Sequence, residues 1–358
     1  MKEGKLSSTQ LMALLWAGLL APAADQLPGL LLPTAGRGAW LAVLAAGVVL
    51  WLLGWAVCRL AGTEGPARAL RRGLGPVFGR AVLLIYIMYS VVLLALRLRL
   101  CAARLVGGEE QSGAAWPVVL AVALLALWMG RGKVTAFGRT AQIFLVILLV
   151  TAGAVLALAL PHARLERVFP VTPALALESL RAAPLAAGVL GWGLYASFLL
   201  GETELPGEGR RWRWPLWSLG GAVLLAAAQI VVVANLGTGL AMQLDNPFFA
   251  LAKGVGVEGA FQRVESLVLA LWVLADLSMD GVLLLALRAM VKEVFPRYRE
   301  EKAVVWAVLA AAALALTLFS GRSALRDWNR GIVPQMCLIL AFALPAALWI
   351  ARKKWSKK

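Results

Sequence analysis

Long apolar runs, separated by short clusters of charged, Gly and Pro residues, dominate the chain. The stretches 40–57 and 303–319 contain no charged residue, and each approaches the roughly 20 residues with which an α-helix crosses a bilayer. The runs and the breaks between them predict ten transmembrane helices. Their expected bounds are 9–33, 38–61, 76–100, 114–130, 135–160, 184–205, 214–240, 262–290, 302–320 and 332–351.

The composition indicates the same class of protein. Hydrophobic residues make up 61% of the 358 residues and charged residues 15%, and the mean hydropathy is +0.81. A soluble domain carries roughly 25% charged residues, so this chain has too little polar surface to face water on all sides. We therefore predict an all-α polytopic protein that crosses a lipid bilayer many times.

Basic residues exceed acidic ones, with 35 Lys and Arg against 19 Asp and Glu. They stand in short clusters between apolar runs, which is typical of membrane topology rather than of nucleic-acid binding, so no nucleic-acid partner is expected. With a cytoplasmic N-terminus, most of these residues fall in inside segments, as the positive-inside rule requires. Ten spans then leave both termini cytoplasmic, and the basic run 352–358 is expected to anchor at the membrane surface.

Few residues are available for catalytic or metal chemistry. The three cysteines, Cys58, Cys101 and Cys337, lie at or inside apolar segments without a CxxC pair, and the single histidine is His162. We predict buried structural thiols, no metal site, no cofactor and no enzymatic activity. No cleavable signal peptide is evident, so the first apolar run is expected to remain as the first helix.

Two runs, one at the start of each half of the chain, share a pattern. Residues 16–29 read WAGLLAPAADQLPG and residues 192–207 read WGLYASFLLGETELPG. Five helices separate the two runs, so they cross the membrane in opposite directions, as in transporters built from two inverted five-helix repeats. We predict a single transmembrane domain over 1–358, with repeats at about 9–160 and 184–351.

The first helix of each repeat is expected to be broken near mid-membrane. Pro22 removes a backbone donor and clashes with the preceding turn, while Gly191 and Gly193 loosen the backbone of the sixth span. Freed N–H groups at such breaks would attract a ligand carboxylate. Ordinary kinks or packing seams of small residues are the alternative.

Helix breaks and polar groups within spans define the candidate ligand site. The candidates are Ala21, Pro22, Ala23, Ala24 and Asp25 in the first span, Tyr86 and Tyr89 in the third, Gly191, Trp192, Gly193, Leu194 and Tyr195 in the sixth, and Asp276, Ser278 and Met279 in the eighth.

Asp276 lies about halfway along the eighth span, where it could meet the first-helix break across a central cavity. Its carboxylate could bind a ligand ammonium or relay a proton, and Asp280 follows one turn later on nearly the same face. An interhelical hydrogen bond is the alternative. Arg97 and Arg99 are expected to snorkel to the outer interface.

Three segments resemble known membrane-protein sequences. Residues 27–47, LPGLLLPTAGRGAWLAVLAAG, resemble the junction of helices 1 and 2 in the amino acid–polyamine–organocation superfamily. Residues 261–281, FQRVESLVLALWVLADLSMDG, resemble the eighth helix of the endospore germination permeases, the B subunits of spore germinant receptors. The opening KLSSTQL at 5–11 is similar to that family's opening. Arg263, Glu265 and Trp272 form the more specific motif, in which Arg263 and Glu265 are expected to form a structural clamp.

The resemblance implies a LeuT-type fold in the inner membrane of a spore, sensing of amino acids such as L-alanine, and assembly with A and C receptor subunits. The superfamily's glycine pair in the first helix is replaced here by Ala21-Pro22-Ala23, and Leu194 stands where an acidic residue is common. These departures leave the ligand class open. A proton- or sodium-coupled secondary transporter of amino acids or amines is the alternative function.

Overall fold

The computed structural model describes residues 5–106, 115–204, 215–244, 246–254 and 264–355, with the backbone alone at 264–267 and 355. The helices are α1 Ser8–Ala35, α2 Ala39–Ala61, α3 Pro66–Leu74, α4 Pro76–Leu105, α5 Ala115–Arg131, α6 Val134–Ala159, α7 Pro173–Leu190, α8 Leu216–Gln243, α9 Pro247–Gly254, α10 Val264–Val294, α11 Glu300–Thr317, α12 Arg322–Asp327 and α13 Val333–Trp355. Strands β1 Leu6–Ser7 and β2 Thr203–Glu204 pair in parallel.

Ten of these helices correspond to the ten predicted spans. Seven stretches are long and apolar enough to cross a membrane, and the first of them, Ser8–Ala61, contains both α1 and α2. Helix α5 is a shorter apolar helix of 17 residues, and α11 has 18 residues with acidic groups confined to its first turn. The short helices α3, α9 and α12 lie in the connections. The all-α membrane class is therefore confirmed, and the described helices are consistent with about ten spans.

Apolar side chains on the outside of the bundle identify the surface that faces lipid. Helices α5 and α6 expose Leu124, Trp128, Ile143 and Val150, each more than 60% accessible. Apolar patches of this kind are unfavourable in water. They suit the hydrocarbon of a bilayer, and the chain is an integral membrane protein.

Close helix packing depends on small residues, because lipid tails are as apolar as the helices and association relies on close contact. A Cβ at Gly18 of α1 would come within 2.9 Å of the Met279 backbone nitrogen in α10. A Cβ at Gly188 of α7 would collide with the carbonyl oxygen of Pro334 in α13. Glycine at these positions lets α1 reach α10 and α7 reach α13 at backbone distance.

The first span stays helical where a break was expected. Ser7 caps α1 through a capping box with Gln10, and the helix then continues through Pro22, Pro28 and Pro33. Because proline has no N–H, Pro22 deprives the carbonyl of Gly18 of its usual helical partner. The interruption is therefore a missing hydrogen bond, and the segment Ala21–Ala24 does not unwind to present free N–H groups.

The sixth span changes helix type where the glycines predicted an irregularity. It begins at Pro173, earlier than the expected residue 184, and Thr172 caps it by accepting a hydrogen bond from the Leu175 nitrogen. At Gly191 the α-helix becomes a 3-10 helix that continues to Glu202. The bounds of the two repeats, about 9–160 and 184–351, stay a prediction.

Candidate functional site

Two cavities meet beside the middle of α1. The larger, named here the basic cavity, has a volume of about 430 Å³ and lies among α1, α4, α9, α10, α12 and the π-helical turn Trp328–Ile332. The smaller, named the central cavity, has a volume of about 20 Å³ and is bounded by α1, α4, α7, α10 and α13. Because a water molecule occupies roughly 10–15 Å³ on this measure, the central cavity has room for about one water.

Four residues line both cavities and so mark the junction between them: Pro22, Gln26, Arg97 and Asn329. The Gln26 side-chain amide donates to the backbone oxygen of Asn329. This hydrogen bond connects α1 to the turn before α13. Movement of either helix would therefore change the boundary that the two cavities share.

A buried ion-pair triad lies beside this junction. The Asp276 carboxylate of α10 accepts from Arg97 through one oxygen and from Arg104 through the other. The side chain of Asp276 is fully buried, and those of Arg97 and Arg104 are 6% and 12% exposed. The two arginines are seven positions apart in the sequence, about two helical turns, which places them on one face of α4. One carboxylate thus serves two guanidinium groups, and the triad keeps a formal positive charge.

Asp25 contributes an acceptor to the wall of the basic cavity. Its carboxylate accepts a hydrogen bond from the Trp272 indole of α10, and Trp272 stacks on Phe248 at 5.5 Å between ring centroids. The other carboxylate oxygen, Oδ1, is buried and has no hydrogen-bond partner among the described residues. The nitrogen Nε of Arg97 is also buried and has no hydrogen-bond partner among the described residues. The two residues that carry this unpaired acceptor and this unpaired donor both line the basic cavity.

Asp280 is fully buried one turn after Asp276. Neither of its carboxylate oxygens has a hydrogen-bond partner within the described residues. An ionised carboxylate buried without partners is costly. The site therefore suits a neutral side chain or one that a cation or proton can neutralise.

The predicted ligand-site residues of α1, the sixth span and α10 are distributed over the two cavities and their surroundings. Pro22 lines both, Ala23, Trp192 and Met279 line the central cavity, and Asp25 lines the basic cavity. The candidates that line neither are Ala21, Ala24, Gly191, Gly193, Leu194, Ser278 and Asp276 itself. A role in ligand binding stays a prediction for all of them.

The three candidate tyrosines join helices together. Tyr86 donates to the backbone oxygen of Leu340 at 2.7 Å, and Tyr89 donates to that of Val333 at 2.8 Å. Tyr195 packs edge-on against Tyr86, with 6.0 Å between ring centroids. None of the three tyrosines lines either of the two cavities. They tie α4 and the sixth span to α13, and their contact with a ligand stays a prediction.

The expectation that Arg97 and Arg99 snorkel to the interface is wrong. Both are at most 5% exposed; Arg97 pairs with Asp276, and Arg99 donates to the backbone oxygen of Phe319 at 3.0 Å. Inside the bundle, a carboxylate and a backbone oxygen take the place of water as hydrogen-bond acceptors for the two guanidinium groups. Of the eighth-span motif, Arg263 and the side chain of Glu265 lie outside the described residues.

Sequence reasoning missed Arg104, Gln26 and the basic groups of α9, α12 and the π-helical turn. One available signal was the spacing of Arg97 and Arg104, which are two helical turns apart and therefore lie on one face of the same span. A pair of arginines on one face of a membrane helix indicates an acidic partner on a neighbouring helix. The basic groups in the connections carried no such signal. Their convergence depends on how short helices fold over the bundle.

Comparison with solved structures identifies the fold as that of LeuT-type transporters. The structure of Mhp1, a nucleobase-cation-symport-1 family transporter closed around bromovinylhydantoin, matches with a TM-score of 0.67 and 13% identity, over 99% of this chain and 93% of that one. The structure of MhsT in complex with L-phenylalanine matches with a TM-score of 0.66 and 12% identity, over 99% of this chain and 100% of that one. The class is therefore a transporter-fold membrane protein.

The family model described as spore germination protein matches residues 5–323. The chain belongs to this family of spore germination permeases. A search of curated protein sequences gives no match.

Proposed function

We propose that this chain is the B subunit of a spore germinant receptor, which binds a small nutrient and triggers germination together with A and C subunits. Membership of the spore germination protein family over residues 5–323 is the observation that carries this proposal. The ligand class is an amino acid such as L-alanine, and the location is the spore inner membrane with both termini cytoplasmic.

The junction of the two cavities supports amino-acid binding. The unpartnered Asp25 Oδ1 offers an acceptor for the ligand ammonium, and the unpartnered Arg97 Nε offers a donor for its carboxylate. Buried, charge-assisted hydrogen bonds of this kind are strong. The two proteins of similar fold, Mhp1 and MhsT, bind a hydantoin and L-phenylalanine, which are small molecules comparable in size to an amino-acid nutrient.

The small volume of the central cavity means that a ligand can enter it only if the surrounding helices move. A space of about 20 Å³ excludes an amino acid, so a ligand that enters it selects a conformation in which the surrounding helices have separated. A ligand shifts a conformational equilibrium by its differential affinity for the two states. Such a shift is how a transporter-like subunit passes a nutrient signal to its partners.

Spore germination is the direct test. Spores that lack the gene for this chain are complemented with the wild type, with Asp25→Asn or with the exposed control Glu301→Gln, and dipicolinic acid release is measured across an amino-acid panel. We expect the wild type and Glu301→Gln to restore one amino-acid response and Asp25→Asn to weaken it at least tenfold, as loss of a charged hydrogen bond implies. A wild-type gene that restores no nutrient response would refute the receptor function.

A coupled amino-acid or amine transporter is the second candidate, and Asp280 is the observation that favours it. A buried carboxylate without partners within the described residues is a place where a proton or sodium ion could bind. Uptake of a labelled amino-acid panel into proteoliposomes separates the candidates. Saturable binding without accumulation supports the receptor, whereas accumulation driven by a proton or sodium gradient supports the transporter.

A further inference from the structure

Two basic and two acidic side chains meet in the interface between α4 and α10. Arg97 and Arg104 are seven positions apart on α4, and Asp276 and Asp280 are four positions apart on α10. These helices are the third and eighth spans, which cross the membrane in opposite directions because consecutive spans alternate. Asp280 therefore lies on the Arg97 side of Asp276, away from Arg104. If all four groups are ionised, their formal charges sum to zero.

The hydrogen bonds of this group leave one donor and one carboxylate unused. Asp276 accepts from both arginines, whereas the Nε of Arg97 and both carboxylate oxygens of Asp280 have no hydrogen-bond partner within the described residues. Asp280 is fully buried and Arg97 is 5% exposed. Unpaired polar atoms are unfavourable at such positions. A hydrogen bond between Arg97 and Asp280 would satisfy both groups.

Arg97 and Asp280 already interact electrostatically. The charges of Arg97 and Asp276 both act on Asp280. The central cavity borders Arg97 and also reaches Leu93, one turn before Arg97 on α4, and Met279, the neighbour of Asp280. Unfilled space therefore lies on the side of Arg97 that faces away from Arg104. The distance to cover is one turn of α10, since four residues of an α-helix span about 6 Å.

Arg104 is the arginine that stays with Asp276. It lies on the far side of Asp276 from Asp280, and the charge of Asp25 on α1 also acts on it. For Arg97 the second acidic group is Asp280. If Arg97 changes its partner and Arg104 does not, each of the four charged groups has an opposite charge beside it.

We propose that Arg97 exchanges Asp276 for Asp280 as its ion-pair partner, while Arg104 keeps Asp276, and that this exchange accompanies a movement of α4 against α10. Shifts of one helix past another by one turn are known in conformational switches. Arg97 lines both cavities and Asp280 lines neither. The exchange therefore withdraws the Arg97 guanidinium from the boundary that the two cavities share, whichever ligand the chain binds.

A double-mutant cycle tests whether Asp280 is the second partner. The purified full-length chain is unfolded with SDS in mixed micelles, and the midpoint is read from the helical signal in circular dichroism. We expect Asp280→Asn to change the wild-type midpoint little, because Asp280 has no hydrogen-bond partner among the described residues. In the Asp276→Asn chain, where Arg97 is left with Asp280 alone, the same substitution should lower the midpoint by at least about half of the shift that Asp276→Asn itself causes.

Arg97→Met supplies the matched control for this cycle. Without the Arg97 guanidinium, Asp280→Asn should have the same effect whether position 276 carries Asp or Asn. Two results overturn the inference. One is an equally small effect of Asp280→Asn with and without Asp276 in the chain that keeps Arg97, and the other is a dependence on position 276 that persists in the Arg97→Met chain.

Chemical modification of Cys101 tests the exchange in the otherwise wild-type chain. Cys101 is fully buried and lies between the two arginines of α4, within range of the charges of Asp276 and Asp280 on α10. Movement of α4 against α10 would therefore expose its thiol. The full-length chain in phospholipid nanodiscs is treated with N-ethylmaleimide, and the modified fraction of each cysteine is read by peptide mass spectrometry. Cys58 of α2, which is also buried, is the internal control.

Asp280→Asn removes the second state without removing a hydrogen bond between described residues. It should therefore slow the modification of Cys101 at least about threefold, because the state that exposes the thiol is no longer populated. The modification of Cys58 should keep its wild-type rate. If Asp280→Asn leaves the Cys101 rate unchanged, or slows both cysteines equally, the inference is wrong, and this result stands even where the double variant of the cycle does not fold.

Discussion

The substitution Asp276→Asn tests whether the buried ion-pair triad holds α4 to α10. Asparagine has nearly the same size as aspartate but carries no charge, so Arg97 and Arg104 would lose their shared counter-charge. Removing one partner of a buried ion pair costs about 3–5 kcal/mol, because the remaining charge stays buried. Both arginine side chains are no more than 12% exposed, so we expect a loss of at least about 3 kcal/mol in unfolding free energy.

Asp280→Asn is the matched control. It makes the same chemical change one turn further along α10, at a carboxylate that is equally buried but has no hydrogen-bond partner among the described residues. Because the substitution removes no hydrogen bond between described residues, we expect its unfolding free energy to stay within about 1 kcal/mol of the wild type. The difference between the two variants therefore measures the ion pairs rather than the effect of an amide at mid-membrane.

The measurement is a titration of each purified variant with SDS in mixed micelles, followed by the helical signal in circular dichroism. A third variant carries Asp276→Leu with Arg97→Met and Arg104→Met. It should recover most of the lost stability, since apolar residues of similar volume often replace a buried ion pair without loss. Equal unfolding midpoints for Asp276→Asn and Asp280→Asn would refute the reasoning.

Two further substitutions test helix contacts by the same titration. Gly18→Val should cost about 1–3 kcal/mol through overpacking, because its Cβ would come within 2.9 Å of the Met279 nitrogen, whereas Gly153→Val, with no atom within 4 Å, should be neutral; equal effects would contradict the close approach of α1 and α10. Tyr89→Phe should cost about 1 kcal/mol through loss of its 2.8 Å hydrogen bond to the Val333 oxygen, and an unchanged midpoint would show that this bond contributes nothing.

The membrane class and the ten spans followed from the sequence alone. An α-helix satisfies its own backbone hydrogen bonds, so it can cross hydrocarbon wherever about 20 apolar residues stand together. This requirement is local, and it can be read from one run at a time. The family could likewise be recognised from contiguous segments, of which residues 261–281 were the most specific. The start of the sixth span was misplaced because Pro173 and Pro184 both interrupt apolar sequence, and only the first begins a helix.

The site depended on contacts between distant parts of the chain. Asp276 was visible as a charge at mid-span, but its partner Arg97 lies 179 residues away and Arg104 lies 172 residues away. An arginine near the end of an apolar run can extend to water at the membrane surface or point into the helix bundle. The residues next to it in the sequence are the same in both cases, so they do not predict which orientation it takes. Helix packing decided that Arg97 and Arg99 turn inward. It also brought the basic groups of α9, α12 and the π-helical turn to one cavity, because short connecting helices take their positions from the bundle beneath them.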